Sequence, residues 1–122
     1  MLVVEDHALM RSALRRMLLA LYPCFGVREA ADGATALALC REHEFSLVFL
    51  DISLPDVSGL ELITPIKRLQ PGCAVIVVSH LEAARYAASS LAAGAFAYVA
   101  KDAISRELTQ AIDRALQLGA AR

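Results

Sequence analysis

The sequence has no surplus of either charge: 12 Lys and Arg stand against 13 Asp and Glu, a formal net of −1. Without a cationic excess nothing drives sequence-independent attraction to a phosphate backbone, which excludes a basic nucleic-acid module. There is no apolar run approaching the ~20 residues needed to cross a bilayer, and no secretory signal opens the chain, so a soluble, cytoplasmic protein is expected. Cysteine is scarce. Cys24, Cys40 and Cys73 are odd in number and form no close pair, which fits neither a disulfide framework nor a zinc site, and they are expected as buried thiols. No repeat, linker or low-complexity segment divides the chain, so residues 1–122 are read as a single domain. What the sequence does have is apolar side chains, 57% of residues against 20% charged, ample for a packed core.

Five short apolar runs read as strands: Leu2–Val4, Val27–Ala31, Leu47–Leu50, Ala74–Val78 and Ala95–Val99. The third and fourth are continuous, the pattern of strands covered on both faces, whereas Arg28 and Glu29 interrupt the second and suit it to an edge. Helical spacing fills the intervals. Met10, Leu14, Met17, Leu18 and Leu21 share one stripe with Arg11, Arg15 and Arg16 off it. Asp32 is placed to cap a helix over Ala34–Arg41, and Ser58 and Glu61 have capping-box spacing ahead of core-facing Leu62, Ile66 and Leu69. Pro65, inside that third helix, costs a hydrogen bond or bends the axis. An alanine-rich helix over Glu82–Ala93 stops at Gly94, its small residues either packing on the sheet or docking a partner. Ile104, Leu108, Ala111, Ile112 and Ala115 mark a fifth helix. Strict alternation implies parallel strands with right-handed crossovers, an α/β, flavodoxin-like (βα)5 doubly wound sheet in order 2-1-3-4-5. Ligands of such sheets bind beyond the carboxyl ends of the strands, where the order reverses.

The residues following the strands are Glu5 and Asp6, Asp51, Ser79 and Lys101. Because parallel strands end on one side, three carboxylates, a hydroxyl and an ammonium are expected around one crevice. Clustered carboxylates repel and raise one another's proton affinity unless a cation sits among them. Hard oxygen ligands with room for waters suit Mg2+, which commonly shares its site with a phosphate. A carboxylate can itself attack phosphorus, catalysis then being mainly positioning and charge neutralisation. Asp51, at the end of the central strand, is the expected nucleophile, with Glu5 and Asp6 holding the metal. Lys101 would meet phosphoryl oxygens as a point charge, and Ser79 would donate a hydrogen bond to one of them.

Four segments carry a family resemblance: Val3-Val4-Glu5-Asp6-His7, Leu50-Asp51-Ile52-Ser53-Leu54-Pro55-Asp56-Val57-Ser58-Gly59, Val77-Val78-Ser79, and Gly94-Ala95-Phe96-Ala97-Tyr98-Val99-Ala100-Lys101-Asp102. In order and spacing they resemble the receiver domain of a bacterial two-component response regulator. Asp6-His7 with Arg11, and Lys101 followed by Asp102, resemble the subfamily fused to helix-turn-helix DNA-binding domains. The resemblance implies that Asp51 accepts phosphate from a sensor histidine kinase, and that Glu5, Asp6, Asp51 and the backbone carbonyl of Ser53 bind Mg2+. It implies that Ser79 and Tyr98 form a switch pair, the hydroxyl moving toward the phosphoryl group as the ring turns inward. It further implies phosphorylation and dephosphorylation only at Asp51 rather than turnover of an external substrate, a homodimer on phosphorylation, and transcriptional output through a DNA-binding domain this chain does not include. A receiver fragment and a protein acting through a partner both remain open.

Some positions depart from the family pattern. His80 follows the switch hydroxyl where a small residue is usual, and its imidazole would obstruct a phosphodonor or attacking water. Asp102 replaces the usual proline after the lysine, so a trans peptide is expected there. The short first strand suggests a trimmed N-terminus or a weak strand. A pseudo-receiver that keeps the fold without using phosphate is the alternative His80 favours. An aspartate-nucleophile phosphatase or nucleotide-binding oxidoreductase ranks last: Asp51-Ile52-Ser53 lacks a second carboxylate two residues on, and no Gly-rich loop follows the first strand. His7 either opens the first helix or acts as a ligand or phosphocarrier. Asp56 either joins the acidic field or is a loop residue, and Tyr98 is either a switch or a half-buried strand aromatic.

Overall fold

A computed structural model describes residues 1–79, 83–101 and 104–120. Strands β1 (Leu2–Val4), β2 (Arg28–Ala30), β3 (Leu47–Leu50), β4 (Ala74–Ser79) and β5 (Ala97–Ala100) alternate with helices α1 (Ala8–Leu21), α2 (Gly33–Glu42), α3 (Gly59–Leu69), α4 (Ala83–Ala92) and α5 (Ile104–Ala120). The strands form one sheet in the order β2-β1-β3-β4-β5, every neighbouring pair parallel. Alternation along each strand sends side chains to two core layers. Val4, Val48, Leu50, Val75 and Val77 pack against Ala36, Leu62, Ile63 and Ile66 of α2 and α3. Val3, Phe49, Ile76 and Val78 pack against Leu14, Leu18, Leu108 and Ile112 of α1 and α5. At roughly 1.5–3 kcal/mol for each fully buried large apolar side chain, these layers are the main force closing the sheet. Their requirement for cover on both faces is why β3 and β4 read as unbroken apolar runs.

Several local expectations shift. Asp32 does cap α2, its carboxylate accepting from Thr35 N at 2.7 Å. At α3 the Ser58 hydroxyl accepts from Leu60 N at 3.3 Å rather than from Glu61, and the helix runs through Pro65 to Leu69. β5 starts two residues later than its apolar run because the preceding backbone closes α4. Gly94 N donates to Leu91 O, Ala95 N donates to Ser90 O, and Gly94 turns the chain with a φ of +115°, a conformation suited to glycine. β1, although short, is buried along its whole length and paired on both sides, so it is a secure interior strand. Leu21 and Leu69 were expected in the core but are half-exposed, since each is the last residue of its helix, while Ile63 fills the core instead. Cys40 and Cys73 are buried as expected, but Cys24 is exposed in the turn after α1. Among the described residues no helix is long and apolar enough to cross a membrane.

Candidate functional site

Adjacent strand ends bring the acids together. Asp51 N donates to Val4 O at 3.0 Å and Glu5 N donates to Ala30 O at 3.0 Å, so β1 and β3 release Glu5 and Asp51 side by side. Across the sheet, Lys101 follows β5, and its ammonium donates to both oxygens of Glu5, at 3.0 and 3.2 Å, and to Asp51 Oδ2 at 3.2 Å. The three side chains are almost fully enclosed, 2% exposed at Glu5, 6% at Asp51 and 5% at Lys101. Asp51 Oδ1 accepts from Ser53 N at 3.2 Å, which orients the carboxylate toward the crevice and folds the following loop back over it. Asp6 is exposed at the rim, yet one oxygen from each of Glu5, Asp6 and Asp51 lies within 4.8 Å of the others.

The Lys101 ammonium thus meets two of the three clustered carboxylates. The consequence shows at Glu5, whose carboxyl is pushed up to about 7, first by burial and then by Asp51, with Lys101 opposing. Such a cluster of hard oxygens is the kind of donor set that could hold a small divalent cation, whose charge would offset the repulsion among the acids. The acids open into a cleft of about 530 Å3, bordered by His7 and by an apolar wall of Leu9, Met10 and Ala13 on α1. A larger depression of about 1000 Å3 lies at the opposite end of the sheet and includes none of these acids.

The sheet register places the other expected residues. Ser79 is buried at the end of β4, registered with Ala100, the residue before Lys101. Tyr98 is registered with Val77, two residues before Ser79, so Ser79 and Tyr98 project from the same sheet face. Tyr98 is half-buried against the layer formed with α2 and α3. His7 occupies the N-cap position of α1, the helix-opening role, while bordering the cleft. His80 and Asp102, with the expectations attached to them, lie outside the described residues, as does Glu82 at the expected start of α4.

Asp56 turns away from the acids. Its carboxylate accepts from Gly33 N at 2.9 Å and Ala34 N at 3.1 Å, ties the β3–α3 loop to the start of α2, and is held below the usual carboxylate range mainly by the Gly33 bond. Of the two readings of Asp56, the loop role is the one these bonds support. Gly59 begins α3 hard against the end of β3: a Cβ there would lie 2.1 Å from Asp51 O, and its N–H donates to Ile52 O at 2.7 Å. Sequence reasoning quoted Gly59 only as part of a motif. It missed this contact because the partner atoms are main chain, which leaves no residue-type signature.

The family model described as Response regulator receiver domain matches residues 1–113. The response regulator GacA of Pseudomonas aeruginosa is 36% identical over 111 residues, 91% of this chain and 52% of that protein. The chain thus spans about half the length of the curated relatives it matches. Among solved structures, a CheY-like receiver domain protein from Methanospirillum hungatei superposes with a TM-score of 0.89 at 30% identity, covering 98% of this chain and 94% of that one. A response regulator from Burkholderia pseudomallei, solved with a phosphorylated aspartic acid, calcium ion and citrate, gives 0.84 at 29% identity, covering 98% and 70%.

Proposed function

The chain belongs to the response regulator receiver domain family, and we propose that it is a phosphorylation-controlled signalling switch whose acceptor is Asp51. The observation that carries the reading is the enclosed contact of Lys101 with both Glu5 and Asp51, with Asp6 at the rim. Glu5, Asp6 and Asp51, with the backbone carbonyl of Ser53, would hold Mg2+, whose charge offsets the repulsion between a carboxylate nucleophile and a phosphoryl group. An Asp51 oxygen attacks the phosphorus carried on a histidine of a sensor kinase. The phosphorus–nitrogen bond breaks, its electron pair staying on the imidazole nitrogen, which takes up a proton.

Lys101 then exchanges part of its contact with Asp51 for a phosphoryl oxygen, and the Ser79 hydroxyl donates to another. Because Ser79 and Tyr98 share a sheet face, movement of the hydroxyl toward the phosphoryl group opens space into which the half-buried ring turns. Contacts made only in the phosphorylated form thereby shift the population between two packings of the α4–β5 surface. The chemistry is confined to the chain's own aspartate, with no turnover of an external substrate. We read residues 1–122 as one receiver domain of a cytoplasmic regulator that dimerises on phosphorylation and controls transcription through a DNA-binding output domain.

The test is mass measurement after treatment with acetyl phosphate, with and without Mg2+. A Mg2+-dependent, hydroxylamine-labile phosphoryl adduct is expected in the wild type and not in Asp51→Asn. Persistence of the adduct in that variant overturns the assignment of Asp51.

A further inference from the structure

Arg11 is engaged from two sides by groups that belong to the site's framework. Its NH1 donates to the main-chain carbonyl of Glu5 at 2.9 Å and, more distantly, to that of Asp6 at 3.5 Å. Its Nε faces Glu29 Oε1 on the edge strand β2 at 3.6 Å, and the side chain is 23% exposed. The guanidinium is suited to this because its donors lie in one rigid plane and address separate acceptors at fixed angles. The segment it grips, residues 5–7, joins β1 to α1 and carries two of the three clustered carboxylates.

Those carboxylates repel one another, and Asp6 is exposed, so nothing in the sheet ladder keeps its carboxyl near the other two. Glu5 N is held by Ala30 O, which fixes the loop where it leaves β1. Among the described residues, the carbonyls between that point and His7, whose own carbonyl accepts from Arg11 N at 2.9 Å, are held by the Arg11 side chain. Fixing the Glu5 carbonyl fixes the peptide plane that leads into Asp6, and hence where the Asp6 side chain starts.

We infer that Arg11 is a positioning residue for cation binding: anchored on Glu29, it holds the β1–α1 loop by its carbonyls so that Glu5 and Asp6 present their oxygens together with Asp51. The inference rests on reading Glu5, Asp6 and Asp51 as cation ligands. It runs against simple electrostatics, which gives the opposite sign: removing a positive charge near an acidic site, and leaving Glu29 only its 4.0 Å contact with Arg15, should tighten a cation. Positioning requires that removal weaken it, by about tenfold on the scale of outer partners that orient metal ligands.

The experiment is a titration of the unphosphorylated chain with Mn2+, followed by loss of the free-ion electron paramagnetic resonance signal, with far-UV circular dichroism as the check of fold. Arg11→Gln is expected to bind Mn2+ about tenfold more weakly than the wild type. Arg11→Lys, which keeps the charge and one donor at a time, is expected between the two. Arg11→Gln binding as tightly as the wild type, or more tightly, in a folded chain overturns the inference. If Arg11→Gln does not fold, wild-type affinity in Arg11→Lys overturns it instead. A wild type that takes up no Mn2+ overturns the ligand assignment itself and the inference with it, so the two failures are distinguishable.

Discussion

Neutralising Asp51 should reduce the stability that the metal-free chain loses toward alkaline pH. Folded Glu5 is pushed up to about 7 from an ordinary 4.5, by burial first and by Asp51 second. Between those two values the folded chain keeps a proton that the unfolded chain has lost, so stability falls as pH rises through that window. At about 1.4 kcal/mol per unit, the loss has an upper limit of about 3 kcal/mol, with burial as its larger cause and the Asp51 carboxylate adding to it. Asp51→Asn removes that contribution and gives up the 3.2 Å ion pair with Lys101 at both pH values, so the variant is expected to lose less stability than the wild type on going from about pH 5.5 to about pH 8. Urea unfolding in the presence of a chelator, at about pH 5.5 and about pH 8, reads the difference directly. The wild-type midpoint should drop between the two, and the variant's should drop less at unchanged slope. Equal drops in both proteins would refute the claim that Asp51 and Glu5 are coupled in the folded state.

Gly59→Ala places a methyl 2.1 Å from Asp51 O, and the forced displacement of α3 or of the end of β3 should cost about 1–3 kcal/mol in urea unfolding. A midpoint at or above the wild-type value would show that the strand yields freely. Asp56→Ala should lower the melting temperature and speed amide exchange at Gly33 and Ala34, with Asp56→Asn recovering part of the protection. Because the Asp56 carboxyl is held below its ordinary value, its contribution is present at neutral pH and vanishes as pH falls through the lowered value, so the wild type and Asp56→Ala should converge in acid. Thiol titration with an aromatic disulfide should modify exposed Cys24 in the folded chain. Cys73 and Cys40, the latter pushed up to about 11 by burial and the neighbouring Cys73, should react only on unfolding, and a second fast thiol would contradict the packing of α2 against α3.

Much of the architecture was legible because it depends on short-range pattern. The unbroken Leu47–Leu50 and Ala74–Val78 runs, the Leu14–Leu18 stripe and the Asp32 cap each act within about a helical turn or a strand's length, where residue type decides conformation. Errors fell at element ends. Whether Ala95 joins the sheet depends on whether the Ser90 carbonyl needs its N–H, and whether Leu69 is covered depends on how far α3 overruns the sheet.

Alternation of strand and helix determined by itself that the acids, the serine and the lysine must leave the sheet on one side, since parallel strands admit no other arrangement. Only the tertiary structure decided which of those groups touch. Lys101 meets Glu5 across 96 residues, Asp56 turns from the acids to the start of α2, and Arg11 grips main-chain carbonyls. Backbone acceptors look the same under every residue, and the distance between two side chains is set by packing of the intervening sheet rather than by their spacing along the chain.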